Sequence, residues 1–436
     1  MRRFRSFALI GAALAVVAST VLGAGRAYAT PTGNDPRSTL IVLVNWTAGN
    51  GSPAAPPDGV TPQSAVAQIG TTDMAWYRSV SYGQFPGWNA TAVGWYAIAP
   101  PPMGPDHVCG NAFRATIENE GKAAAAANGY HAEDYSMVMY YFSRVPSCDW
   151  AGQGFPNGPV WINGSMTTGT TVHELGHTLG LGHGHALRCY DAGNKPVILS
   201  TNCTSDGYGD LYSAMGCCSP GHFTTIQKAD LGWMWGRMLD VPESGGTYRL
   251  APLEVSGPFF LYALRIMDGS TTLWLEYRQP IGVDSYLQPM SAGVVVHRQM
   301  PDQDGSTPLG SYLLDMTPAS PNGFADAPLP VGATWANPLG TMKITVDWAD
   351  GGAAQVTIAS TIVWVAVPDV RGETVADARA ILQAAGLRVG SIANVVDCDT
   401  IGRVKVQNPT TGTVVVQGSA VNLTVGKEPA PPLSCQ

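Results

Sequence analysis

The sequence predicts a mixed α/β unit, then an all-β sandwich-like unit, then a small α/β unit. Three observations carry this. Up to about residue 240, runs of buried-strand type alternate with helical stretches. Beyond it, short β-type runs recur between turn signals. Glycine (51) and proline (33) together make up about a fifth of the 436 residues, which excludes a coiled coil or a long helical repeat.

The elements follow in order. Met1 to Ala29 reads as a secretory signal: basic MRRFR, an apolar stretch from Phe7 to Leu22, and Ala27-Tyr28-Ala29 as a cleavage site. Residues 39–46 (TLIVLVNW) form a continuous apolar run, expected as a buried strand. A helix is expected over 111–127, with Asn111 as its cap and Asn128-Gly129 as its stop. Residues 135–142 and 160–162 read as strands, and a further helix should begin near Gly169 to Thr171 and end at Gly180. Later β runs fall at 246–250, 259–265, 272–277, 292–298 and 341–347, with turns at Asp268-Gly269, Asp304-Gly305 and Asp350-Gly351. The expected division is a signal at 1–29, a catalytic unit at 30–240, the β unit at 241–362, a small unit at 366–427 and a tail at 428–436.

The net charge is −8, and it becomes −12 once the first 29 residues, with four arginines and no acids, are removed. An acidic chain without basic runs argues against nucleic acid and anionic membranes as partners. No later segment is long and apolar enough to span a membrane, so a secreted, extracellular protein is expected. All eight cysteines follow the signal, and an even count in an exported chain favours disulfides. Locality pairs Cys109 with Cys148 and Cys398 with Cys435, leaving Cys189 and Cys203 to take one each of Cys217 and Cys218.

The strongest chemical signal is HELGHTLGLGH at 173–183. His173 and His177, four apart, project from one face of a helix and can share one metal ion. Glu174 is placed to act on the attacking water as general base. Gly180 lets the chain turn so that His183 returns as third ligand. Three nitrogen ligands with one open position describe a catalytic zinc site. His185 reads as solvated or supporting, and His107, His131, His222 and His297 as structural. Asp302-Gln303-Asp304-Gly305 could contribute to a calcium loop, but it lacks further acidic positions and reads as a turn.

HExxHxxGxxH resembles the signature of the metzincin zinc peptidases, whose fold places a methionine turn beneath the metal. Met215, 32 residues after His183, fits that turn. Ser81-Tyr82-Gly83, Cys148-Asp149-Trp150-Ala151-Gly152, Tyr208-Gly209-Asp210, His222-Phe223 and Leu231-Gly232-Trp233 extend the resemblance, over roughly residues 39–236, to the gametolysin family. The resemblance implies a zinc endopeptidase acting on protein or peptide substrates, the substrate lying extended along an edge strand near 159–163. Some metzincins place a tyrosine two residues past the turn methionine; here Cys217 stands there, with Tyr208 or Tyr212 as substitutes.

Residues 366–427 resemble a PASTA domain, in Val367-Pro368-Asp369-Val370-Arg371-Gly372, an Ala-rich helix at 374–385, Val406-Gln407-Asn408-Pro409 and Gly418-Ser419. That resemblance implies peptidoglycan contact and cell-wall association. It also leaves open a peptidase or amidase acting on peptidoglycan cross-links, or a non-catalytic wall-binding protein.

Overall fold

The computed structural model describes residues 36–104, 109–216, 219–258, 260–431 and 433–435. The signal segment, His107, Cys217 and Cys218 lie outside the described residues. Among the described residues no helix is long and apolar enough to cross a membrane.

The chain is mixed α/β and strand-rich. Its first sheet is built from β1 (Arg37–Asn45), β2 (Trp88–Ala97), β3 (Met137–Phe142), β4 (Gly152–Gly154) and β5 (Val160–Asn163), in the order β2-β1-β3-β5-β4. All neighbours are parallel except β4, which runs antiparallel to β5. Strand β1 is apolar at every central position because both of its faces are covered. Leu40, Val42 and Val44 pack with Phe113 and Ile117 of helix α3 (Asn111–Ala127), which follows α1 (Pro62–Ala67) and α2 (Met74–Val80). Ile41 and Leu43 face the other way, onto Trp76, Tyr77 and helix α4 (Thr168–Thr178). The cap of α3 differs from expectation: Gly110 takes that place, and the Asn111 side chain accepts from Arg114 instead.

After α4 the chain enters a second, eight-stranded sheet. Its strands are β6 (Gly184–Tyr190), β7 (Pro196–Val197), β8 (Cys203–Asp206), β9 (Met238–Asp240), β11 (Ala263–Asp268), β12 (Thr271–Arg278), β13 (Gly293–Pro301) and β14 (Leu309–Leu314). A four-stranded antiparallel sheet of β10 (Gly245–Leu250), β15 (Thr334–Ala336), β16 (Met342–Asp350) and β17 (Ala353–Ser360) packs against it through Leu273, Leu275, Val296, Ile344, Val346 and Val356. The expected sandwich is there, but residue 240 does not separate two cores. Strand β6, which begins one residue after His183, pairs in parallel with β14 from Ser311↔Gly184 to Leu314↔Leu187. Hydrophobic periodicity marks strands but not which strand they pair with, so the shared sheet leaves no trace in the sequence.

A buried ionic knot also joins the two halves. Arg278 is fully buried and meets Glu254, Glu276 and Asp284. Glu276 and Asp284 in turn accept from the backbone N–H groups of Thr225 and His222, at the start of helix α5 (Thr225–Asp230) and just before it. His222 also bonds the buried Lys228, and His297 bonds Asp210, in keeping with structural roles.

Two expected disulfides form, Cys109–Cys148 and Cys398–Cys435. The third is a correction: Cys189 bonds Cys203, because antiparallel β6 and β8 place the two directly opposite each other.

The last unit holds β18 (Trp364–Ala366), helix α6 (Val375–Ala384), β19 (Arg388–Val396), β20 (Val404–Asn408), β21 (Val414–Val416) and β22 (Ala420–Lys427). Thr374 caps α6 by accepting from the Asp377 N–H.

Candidate metal centre

Helix α4 places the Nε2 atoms of His173 and His177 3.2 Å apart. Two imidazoles on one tetrahedral zinc, each bonded at about 2.0–2.1 Å, stand about 3.4 Å apart. The helix ends in a Schellman turn: Gly180 N–H donates to His177 O and Leu181 N–H to Gly176 O. Gly180 sits at φ 93°, a conformation open to glycine. The chain doubles back, and the His183 ring lies 4.9 Å from that of His177 and 5.6 Å from that of His173, centroid to centroid.

Every Nδ1 is turned outward. His173 Nδ1 meets Ala214 O at 2.9 Å, His177 Nδ1 meets Leu181 O at 2.8 Å, and His183 Nδ1 meets Asp304 Oδ2 at 2.9 Å. Carbonyl and carboxylate oxygens only accept, so each Nδ1 carries a proton, which leaves Nε2 as the nitrogen available to a metal. Burial, with the neighbouring rings, pushes His173 down to about 3 and His177 down to about 4. Three ring nitrogens lying within 4.8 Å of one another, with their proton-bearing sides tied elsewhere, form a donor set that fits zinc.

The methionine turn lies beneath. Met215 is fully buried, and a Cβ on Gly176 would stand 2.5 Å from its sulfur, so α4 rests on it through a bare backbone face. The same turn supplies the Ala214 carbonyl to His173 and, through Met215 O, accepts from Gly184 N–H.

Glu174 is only 6% exposed and lies between α4 and β4. Glycine is required here: a Cβ on Gly152 would come 2.7 Å from Glu174 Oε1, and one on Gly154 2.3 Å from Glu174 O. Burial pushes the Glu174 carboxyl up to about 8, against a backbone hydrogen bond from Gly154. Two clefts, of about 320 and 530 Å³, meet at Trp150, Gly152, His173, Glu174 and Tyr208.

The edge strand expected near 159–163 is a correction. Strand β5 is interior, paired on both sides, and the free edge beside the histidines is β4. The two candidate tyrosines also separate. Tyr208 lines both clefts, its ring 4.2 Å from that of His183. Tyr212 is fully buried under the Arg278 guanidinium and reaches neither cleft. Two residues were missed as site residues. Asp304, 121 positions beyond His183, orients it. His185 is buried rather than solvated, with Asp302 and Asp304 beside it.

Comparison with known proteins identifies one part of the chain. Residues 365–427 match the PASTA domain. No curated protein matches the chain. The PASTA unit has its own core of Val367, Val370, Ala378, Leu382, Val421 and Leu423. Strand β19 lies at the sheet edge and leaves Ile392 and Val396 exposed. A PASTA unit suggests cell-wall or peptidoglycan-related binding.

Proposed function

We propose that the chain is a secreted zinc-dependent endopeptidase of metzincin, gametolysin-like type, which its PASTA unit associates with the bacterial cell wall. The observation that supports this best is the outward tethering of all three Nδ1 atoms, which turns three Nε2 lone pairs toward one point beside a buried carboxyl. Zinc held there supplies a Lewis acid and makes the attacking water more acidic.

The protein's own residues do the rest. Glu174 takes the proton of the attacking water and returns it to the leaving amine. Tyr208 donates a hydrogen bond from its hydroxyl to the oxyanion that develops on the former carbonyl oxygen. The free edge of β4 receives the substrate as an added strand, and Gly152 and Gly154 let β4 itself run close to Glu174.

Digestion of a denatured protein by the full secreted chain tests the reading. Cleavage that stops with a zinc chelator and returns with zinc is expected; cleavage indifferent to chelation overturns it. A second reading, hydrolysis of peptidoglycan cross-links, is favoured by the PASTA unit. Release of cross-link peptides from purified sacculi, with no cleavage of the protein, would select it.

A further inference from the structure

Next to the histidine triad lies a second constellation. His185 sits on β6 directly beside its register partner Tyr312 of β14, and its ring stacks on the Tyr312 ring at 4.7 Å. It is 1% exposed, and neither of its ring nitrogens has a hydrogen-bond partner among the described residues. A buried imidazole without partners is costly and calls for an explanation. Two carboxylate oxygens face it: Asp302 Oδ1 at 3.0 Å and Asp304 Oδ2 at 3.7 Å from Nε2.

An ordinary ion pair would place Asp302 Oδ1 on the N–H axis, yet at 3.0 Å it makes no hydrogen bond, because it lies off that axis. Off-axis oxygens are what metal ligation requires, since the ion itself occupies the axis. Ligands bonded at about 2.1 Å stand about 3.0 Å apart at a right angle and about 3.4 Å apart at the tetrahedral angle. Asp302 Oδ1 stands at the right-angle value, and Asp304 Oδ2 lies about 0.3 Å beyond the tetrahedral one.

The rest of the hairpin fixes these oxygens. Asp302 Oδ2 accepts from Ser306 Oγ, Thr307 N and Thr307 Oγ1, and Asp304 Oδ1 accepts from Ser306 N. Asp302 Oδ1 is thereby left facing His185, while Asp304 Oδ2, which meets His183 Nδ1, stands 3.7 Å from His185 Nε2. Tyr312 O–H adds a 3.3 Å contact to Asp302 Oδ1. Gly310 keeps the space open: a Cβ there would come 2.9 Å from Asp302 Oδ1.

We infer that His185, Asp302 and Asp304 form a second divalent-cation site. One imidazole and two carboxylates suit a borderline ion of the zinc and manganese class better than calcium, which takes oxygen ligands alone. Asp304 Oδ2 then serves both centres, accepting from His183 Nδ1 at 2.9 Å and binding the second ion. The second ion holds Asp304, and Asp304 holds the third histidine. The site stands on its own residues, whether or not the triad acts in hydrolysis.

The test is metal counting on the full secreted chain, stripped with a chelator and equilibrated with Zn²⁺ or with Mn²⁺. Two Zn²⁺ per chain are expected in the wild type and one in His185→Phe, which keeps the stack on Tyr312. Asp302→Asn, nearly the same shape, should also bind one, and it reads the site if His185→Phe does not fold. His177→Phe should lose the other ion and keep this one. A wild-type count that His185→Phe and Asp302→Asn both leave unchanged overturns the site, as does filling by Ca²⁺ where Zn²⁺ and Mn²⁺ fail. A single wild-type ion that His185→Phe loses and His177→Phe keeps would leave this site standing and remove the proposed hydrolytic centre.

Discussion

Two of the three clustered histidines are held differently from the third. His173 and His177 share one helix, and backbone carbonyls at Ala214 and Leu181 orient them. His183 lies past a glycine turn, and a side chain orients it, Asp304, from the β13–β14 hairpin. Backbone carbonyls come with the fold and survive most substitutions. A side-chain carboxylate can be removed by one. The helical pair is therefore the robust part of the centre, and His183 is the part through which the second sheet can act on it.

Four substitutions break or sharpen that contrast. Glu174→Gln belongs to the helical part and touches no ring nitrogen, so metal content should stay at the wild-type value while kcat falls by about 10³-fold or more. Near-normal turnover would remove Glu174 as the base. Tyr208→Phe should lower kcat by about 10²-fold with little change in KM, as expected for a donor to an oxyanion. A change confined to KM would assign Tyr208 to substrate binding instead.

Asp304→Ala attacks the other part. Zinc affinity of the triad, measured by competition with a chelator in a His185→Phe background that leaves only that centre to fill, should weaken by about 10- to 100-fold, the usual cost of losing a partner that orients a ligand. Unchanged affinity would show that His183 needs no side-chain support, and the contrast would collapse.

The smallest effect comes from behind the helix. Asp73 is buried, and Gln68 bonds both it and Thr168 at the start of α4. Burial raises the Asp73 carboxyl to about 7 despite hydrogen bonds from Thr171 and Gln68. The folded chain thus holds this proton more tightly than the unfolded chain, where a carboxyl titrates near about 3.9. The contribution to stability is complete below that pH and is lost as pH rises through about 7. Asp73→Asn does not titrate, so it should match the wild-type Tm at pH 4 and exceed it by a few degrees at pH 8. An equal difference at both pH values would contradict the burial argument.

What the sequence showed follows the same contrast. That His173 and His177 share one helix face and that the chain turns back at Gly180 is legible, because each depends on local spacing or on one residue's backbone freedom. Strand β1 was legible because an unbroken apolar run needs cover on both faces. Strand β4 was not, since Gly152-Gln153-Gly154 carries no alternating pattern, and the free edge was assigned to its neighbour. In the sequence Asp304 reads as part of a turn, which it is; its second use depends on β6 pairing with β14. The Cys189–Cys203 bond rests likewise on β6 pairing with β8, which proximity along the chain to Cys217 and Cys218 concealed. The PASTA unit was legible because its core is built entirely from its own sequence.

The central claim is that three imidazoles converge on one zinc ion and leave a corner of it free. Anomalous diffraction at the zinc edge from crystals of the full secreted chain addresses it directly. A peak is expected about 2.0–2.1 Å from the Nε2 atoms of His173, His177 and His183, with no fourth side chain bound. A peak that His183 does not reach, or one closed by a fourth protein ligand, would contradict it.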